Sequence, residues 1–439
     1  MASLDESKSD KRLAAAKRVI EHIGQQLDID ASARLWDGSR HPLGRNVTSD
    51  LSIAINSPGA LTSMMRWPSL DRLIRHYAHG RIDVEGGSIL ELGERLSGKE
   101  TRKQLKKVNK LALLREAAPL LFGQSDNPNA SRGYEGDEVG IRKDNRDDKR
   151  YIQFHYDVSN DFYRLFLDEA MIYTCAYFTD WSNSIDQAQQ DKLEMICRKL
   201  RLKAGDRMLD IGCGWGGLIC YAAQHYNVQA VGVTLSQEQY DLAIETIARL
   251  GLTERVEVRL QNYLELNETF DKISSIGMYE AIGVKAYPTY FGKIRSLLTE
   301  DGLFLNHGIT RRGKRKKTSF AKRPEQRALL KYIFPGGELD DIGNTVQQME
   351  IAGFEVHDVE GWREHYELTT KLWCERLTAR QDEAIAIVGP ETYRIWVAYL
   401  AGCSLAFKRG SARIFQTVAS KSAKGASPLP PTRSDLYRD

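Results

Sequence analysis

Residues 208–217, Met-Leu-Asp-Ile-Gly-Cys-Gly-Trp-Gly-Gly, carry the most concentrated chemical signal in the chain. Strand-favouring apolar positions run into a glycine cluster, and a helix-like segment, 218–226, follows. Gly212 and Gly214 can adopt the positive φ of a tight turn and, lacking Cβ, let a ligand approach the backbone. The start of the next helix leaves amide N–H groups free for polar ligand atoms. Four other side chains are chemically capable: Cys175, Glu280, His307 and Tyr366. Taken singly, Cys175 reads as a buried thiol, His307 as a hydrogen-bonded core histidine, and Tyr366 as unremarkable. Glu280 follows an apolar strand, and it is harder to dismiss because an unpaired buried carboxylate is costly.

These residues need a scaffold. Strand-like segments fall at 208–211, 228–233, 256–260, 273–278 and 303–307, with helices such as 236–250 and 287–298 between them. This alternation predicts an α/β domain built on a doubly wound parallel sheet. Ligands of such sheets sit at the carboxyl ends of the strands. The polar candidates gather there: Asp210 and Gly212, Thr234, Gln261 and Asn262, Glu280, and His307.

The first part of the chain reads as a smaller α+β domain, residues 1–122. It has a helix over 11–27, a strand entering a turn at Asp37-Gly38, a strand at 51–55, and helical periodicity over 61–77 that Pro68 interrupts. Gly80 follows as a C-cap, then an edge strand at 82–85 and a mostly helical stretch to 121 with Arg102, Lys103, Lys106, Lys107 and Lys110. Residues 123–150 are rich in Asn, Asp, Gly and Ser and read as a mobile linker. The catalytic domain is expected over 151–424, and 425–439 as a loosely tethered tail.

With 439 residues, 42% apolar and 28% charged, the chain can bury substantial cores in two domains. No segment approaches the roughly 18 apolar residues of a membrane helix, and the polar residues 1–12 do not read as a secretory signal. A net charge of +3 gives no argument for nucleic acid. The six cysteines show no C-x-x-C spacing, so no metal site is expected, and scattered thiols suit an intracellular chain.

The Asp-x-Gly-x-Gly-x-Gly spacing resembles the first motif of class I S-adenosylmethionine (SAM) methyltransferases. The dinucleotide fingerprint is the rival, but it spaces its later glycines by two residues and ends its second strand in a carboxylate. Here that strand runs into Thr234-Leu235-Ser236. Further motifs follow in order: His155-Tyr156-Asp157-Val158-Ser159-Asn160-Asp161-Phe162-Tyr163, Met171-Ile172-Tyr173-Thr174-Cys175-Ala176-Tyr177-Phe178, Gly277-Met278-Tyr279-Glu280, Leu305-Asn306-His307-Gly308-Ile309, Lys331-Tyr332-Ile333-Phe334-Pro335-Gly336-Gly337, and His365-Tyr366. Together they resemble the cyclopropane-fatty-acyl-phospholipid synthases and related SAM-dependent fatty acid methyltransferases. Leu35-Trp36-Asp37-Gly38 and the segment 80–86 are similar to the lipid-binding N-terminal domain of the long bacterial members.

The resemblance implies methyl transfer from SAM to a cis double bond of a phospholipid acyl chain, with ring closure when the resulting carbocation loses a proton. It also implies a bound bicarbonate as base, at positions matched by Cys175, Glu280, His307, Tyr366 and the Ile309 backbone; Glu280 acting directly is the alternative. Tyr173, Tyr177 and Tyr279 could steady the cation. For SAM it implies Asp210, Gly212 and Gly214 near the methionine part, Tyr173 and Thr174 closing over it, Thr234, Leu235 and Gln239 by the ribose, and Gln261 and Asn262 at the adenine edge. Asn262 stands where relatives often carry an acidic residue. Ala281 stands where ring-forming members often carry histidine, which keeps methylene- or methyl-branched products open, with a noncatalytic lipid- and SAM-binding protein as a distant third reading.

A peripheral enzyme on the cytoplasmic face of the membrane, with unsaturated phospholipid as partner and a homodimer as the family's frequent state, completes the expectation. The basic run from Arg311 to Arg323 suits either a solvated loop or attraction to anionic head groups.

Overall fold

The structure is a computed structural model that describes residues 2–98, 101, 103–104, 110–127, 159–313, 323–333, 337–421, 427 and 429–437. Most of the expected linker, the motif opening at 155–158, Arg102, Lys106 and Lys107, the basic run over 314–322 and residues 334–336 lie outside the described residues. The chain divides into two compact units, Met1–Asp137 with Val388–Leu405, and Glu138–Ile387 with Ala406–Asp439.

The first unit holds a four-stranded sheet of β1 (Ser32–Arg34), β2 (Arg40–Pro42), β3 (Ser52–Ile55) and β4 (Ile82–Glu85), in the order β2-β1-β3-β4. The Asp37-Gly38 turn joins β1 to β2, with Gly38 at φ +83° and the Asp37 carboxylate accepting from the Ser39 N–H at 3.0 Å. The helical periodicity over 61–77 resolves into two helices, Pro58–Arg66 and Leu70–Ala78, separated at Pro68 as its missing N–H requires. Ser57 and Ser69 cap them. Ala15, Val19, Ile20, Leu35, Leu51, Leu92 and Leu120 form the core. The helix spanning Gln381–Lys408 breaks at Gly389 (φ +78°) and Pro390. Its following portion belongs to the first unit, where Arg394 pairs with Asp83 at 2.7 Å and lies over the Tyr77 ring.

The second unit holds seven strands: β5 (Arg207–Ile211), β6 (Gln229–Thr234), β7 (Val256–Leu260), β8 (Phe270–Ile276), β9 (Leu298–Arg311), β10 (Phe354–Gly361) and β11 (Ala412–Lys421). Their order is β10-β11-β9-β8-β5-β6-β7. The five strands read from the sequence pair in parallel, so the doubly wound α/β expectation holds for them. The sheet as a whole is mixed, because β11 and β10 extend it antiparallel. Their pairing is long-range, and β11 buries Gln416, Thr417 and Ser420, which blurs the apolar signal of a central strand. Apolar clusters cover both faces, one around Met208, Ile219 and Leu305, the other around Leu209, Phe291 and Phe304.

Within the stretch expected as a tail, residues 433–436 make contacts with the second unit's sheet and with one of its helices. Arg433 pairs with Asp358 at 2.8 Å, Arg201 with Asp435 at 3.0 Å, and Leu436 is buried.

Candidate active site

The glycine turn forms as its sequence predicts. Gly212 (φ +79°) and Gly214 (φ +55°) follow β5, and the helix Gly217–Tyr226 starts after Gly216 in the same left-handed region. A Cβ on Gly214 would meet nothing within 4 Å, and Gly212 is exposed, so the backbone there is open to a ligand. The other expected cofactor residues divide. Asp210 is buried and accepts from Ser274 Oγ at 2.7 Å, which makes it a strut beneath the turn. Burial pushes its carboxyl up to about 6. Thr234 and Gln239 bond each other at 2.7 Å, and Leu235 lies between them in sequence, partly exposed. The Asn262 side chain accepts from Leu264 N–H at 3.0 Å, which starts the short helix after β7, and Gln261 is half-buried beside it.

The Cys175 segment lies across the strand ends. Asp168 anchors it by accepting from the N–H groups of Ala170 and Ile172 at 3.0 and 2.9 Å. Gln189 donates to the Thr174 carbonyl at 2.9 Å, and Ala176 N–H donates to Thr369 Oγ1 at 3.1 Å. Tyr173 packs between Tyr163 and Trp373, with centroids 5.4 and 5.2 Å away. Thr174 reaches across to Gly277, where a Cβ would stand 2.9 Å from its methyl group.

Glu280 sits in the first turn of the helix Tyr279–Ile282, just past β8. Its Oε1 accepts from the Ile309 N–H at 2.5 Å, whereas Oε2 is buried without a hydrogen-bond partner among the described residues. Burial pushes this carboxyl up to about 7, against the pull of the Ile309 hydrogen bond. His307 and Ile309 lie on β9. His307 is buried, and Gln416 on β11 donates to its Nδ1 at 3.1 Å as the two side chains are placed. Burial, with the charges of Lys192 and Lys199, holds the imidazole well below its ordinary range. The ring is therefore neutral, and an accepting Nδ1 leaves the proton on Nε2. That Nε2 is also buried without a partner among the described residues. Two unsatisfied polar atoms of this kind are costly unless a ligand meets them.

Cys175, Ile309 and Tyr366 share one apolar cluster with Met195, Trp362, Phe407 and Ile414. Trp362 links the members: its carbonyl lies 3.8 Å from Cys175 Sγ, and its ring meets His307 edge-on at 5.1 Å. Tyr366 stacks obliquely on Phe407 at 4.6 Å. Burial pushes the Cys175 thiol up, so it stays a neutral thiol. The five candidate catalytic positions are thus brought together from four chain segments. Of the three tyrosines considered for cation contact, Tyr177 belongs to this cluster and Tyr173 to the neighbouring aromatic group. Tyr279 packs on the other face of β9: its ring stacks on Tyr287 and lies against Gly308, and its hydroxyl donates to the Ile309 carbonyl at 3.5 Å. Ala281 is exposed.

Sequence reading missed Gln416, Trp362 and Lys192. Gln416 and Trp362 carry no motif spacing, and only the β9–β11 register sets Gln416 opposite His307. Lys192 belongs to no motif, and its place among the buried residues of its helix is the signal that could have found it.

A family model for mycolic acid cyclopropane synthetase matches residues 143–417. The chain belongs to this family. Like the mycolic acid cyclopropane synthetases, it is a SAM-dependent methyltransferase by fold and an enzyme of fatty acyl chains in its broad class. A probable fatty acid methyltransferase of Pseudomonas putida is 37% identical over 418 residues, 94% of this chain and 98% of that protein. The cyclopropane-fatty-acyl-phospholipid synthase of Escherichia coli is 40% identical over 267 residues, 61% of this chain and 66% of that one. The solved structure of the mycolic acid cyclopropane synthase CmaA1, complexed with SAH and CTAB, superposes with a TM-score of 0.60 at 33% identity, covering 64% of this chain and all of that one. The open glycine turn agrees with a nucleoside-bearing sulfonium cofactor. The orphaned Glu280 Oε2 and His307 Nε2 agree with a small oxyanion carrying its own hydroxyl, since one can accept and the other donate.

Proposed function

We propose that the protein methylates a cis double bond within the acyl chain of a membrane phospholipid and closes a cyclopropane ring. The observation that carries this is two buried polar atoms without a partner among the described residues, Glu280 Oε2 and His307 Nε2, on side chains that reach the apolar Cys175–Trp362–Tyr366 cluster through Ile309 and through the Trp362 ring. An alkene is a weak nucleophile, so it must be held in line with the methyl donor and away from water. SAM supplies an electrophilic methyl group. The aromatic rings of Tyr177, Trp362 and Tyr366 give the acyl chain an apolar lining and favour a transient cation. Proton loss from the added methyl group then needs an acceptor close by. Glu280 Oε2 offers one directly, with Oε1 held by Ile309 so that the carboxylate keeps its aim. Bicarbonate held between Glu280 Oε2 and His307 Nε2 would supply such an acceptor as well.

Peripheral contact with a bilayer is supported by an exposed aromatic corner in the first unit. Trp67 is 54% exposed and Phe122 88%. Arg66 joins them, because it follows the helix into Trp67 and its guanidinium donates to the Leu121 and Gly123 carbonyls on either side of Phe122. Arg66 and Arg72 lie 5.7 and 5.2 Å from the Trp67 ring. Aromatic side chains beside arginines suit the boundary between acyl chains and anionic head groups. Among the described residues no helix is long and apolar enough to cross a membrane.

The test is mass spectrometry and proton NMR of vesicles of cis-monounsaturated phospholipid after incubation with SAM. A product heavier by one CH2, with upfield ring protons and no alkene signal, is expected. The same mass with surviving alkene protons would replace ring closure by methylene formation, the reading that Ala281 favours. No mass change with any unsaturated lipid, while SAM binds, would refute acyl-chain methylation.

A further inference from the structure

Lys192 is a lysine inside the protein. It lies on the helix Ile185–Leu200 and is 2% exposed. Its Nζ donates to Thr174 Oγ1 at 2.9 Å. A buried ammonium is expensive unless charges and hydrogen bonds compensate it. Burial draws this one down to about 8, against the field of Asp168, Cys175 and Asp210. These two carboxylates belong to different parts of the site. Asp168 anchors the backbone of 170–172, and Asp210 underlies the glycine turn.

Thr174 is held from two sides. The ammonium takes its hydroxyl oxygen, and its methyl group lies in the space left by the missing Cβ of Gly277, a residue at φ +69°. Gln189, three residues before Lys192 and on the same helix face, takes the Thr174 and Ile172 carbonyls at 2.9 and 3.3 Å. Met171 adopts φ +55°, a left-handed conformation that a non-glycine residue keeps only when its surroundings impose it. A hydroxyl that accepts from an ammonium retains its own hydrogen to donate.

We infer that Lys192 is a positioning residue: its bond to Thr174 sets the segment that carries Cys175 against the cofactor side of the glycine turn. This rests on the SAM reading above. The lysine acts through Thr174 and does not touch the reacting atoms.

The test compares Lys192→Met, Thr174→Val and the double variant in the full-length protein. Two quantities are measured: S-adenosylhomocysteine affinity by calorimetry, and KM for SAM against kcat in the vesicle assay. Each single variant is expected to weaken S-adenosylhomocysteine binding about tenfold and to raise KM for SAM in parallel, with kcat at saturating SAM changed less. The double variant is expected to lose no more than the worse single one, as for two ends of one interaction. Unchanged affinity, losses that multiply, or a fall in kcat alone would overturn the inference. Should Lys192→Met fail to fold, Thr174→Val reads the same link, and unchanged affinity there is decisive. Wild type that binds S-adenosylhomocysteine but methylates no lipid would refute the proposed reaction and leave the affinity arm to decide on Lys192. Wild type that does not bind it would overturn both.

Discussion

The Glu280 carboxylate holds the Ile309 N–H at 2.5 Å through one oxygen and keeps the other buried and, among the described residues, unbonded. The two oxygens thereby divide the work of a base: one fixes the geometry, and the other is available to a proton. His307 enters the same site from the same strand as Ile309, two residues earlier. Replacing Glu280 by Gln preserves shape and removes the basic oxygen. Turnover should fall about 100-fold or more, within the range for loss of a general base. SAM affinity measured by calorimetry should stay as it is, and near-normal turnover would remove Glu280 from the chemistry.

The pH dependence follows from the same carboxyl. Burial raises it to about 7, so the proton-accepting form grows in only as pH passes that value. kcat/KM should therefore climb through about pH 7. His307 stays neutral across this range and adds no rising limb of its own. For stability the sign is opposite. The raised value means the fold favours the neutral acid, so Glu280's contribution is full below about 4.5 and is lost as pH rises to about 7. Denaturant titrations of wild type and Glu280→Gln at pH 5 and pH 8 would read this directly: the wild type should lose stability relative to the variant at pH 8.

Gln416 should matter because it sets the imidazole. Gln416→Leu removes the donor to His307 Nδ1 and frees the ring to change tautomer and tilt. A drop in kcat of about tenfold is expected, in line with lost orientation by a partner that does not itself react. SAM affinity should not move. Equal kcat in the variant would show that Trp362 packing alone holds His307.

Gly212→Ala tests the cofactor turn. The residue sits at φ +79°, and a Cβ would stand 3.1 Å from Met278 Cγ. The left-handed backbone alone costs an alanine about 1–2 kcal/mol. Lower thermal stability and weaker SAM binding should appear together. An alanine that binds SAM normally would place the cofactor away from this turn.

The aromatic corner of the first unit predicts a salt-dependent and an apolar part to vesicle binding. Trp67→Ala with Phe122→Ala should weaken binding to anionic vesicles about tenfold or more at any salt, whereas Arg72→Glu should weaken it most at low ionic strength. Flotation assays at two salt concentrations separate the two. Binding unaffected by all three changes would exclude this face as a membrane contact.

Much of the scaffold was legible in the chain because local physics sets it. The glycine spacing at 212–217, the Asp37-Gly38 turn, the break at Pro68 and the five parallel strands each follow from backbone preference or from periodicity over a few residues. The motifs around Cys175, Glu280, His307 and Tyr366 also named the catalytic candidates. Sequence could not show that Ile309 N–H is taken by Glu280, because that bond joins a helix start to a strand 29 positions later. Nor could it show that Tyr279 turns away while its neighbour Glu280 turns in, since adjacent residues in one helical turn face different surroundings.

The chain by itself determined the element types, the cofactor turn and the inventory of reactive side chains, all short-range properties. Tertiary structure alone decided which of those side chains lose water and which find partners. It set Gln416 against His307 through the β9–β11 register, buried Lys192 against Thr174, and left Glu280 Oε2 unbonded among the described residues. The reason is that burial and pairing, which move proton affinities, depend on chain segments that meet only when the sheet closes around them.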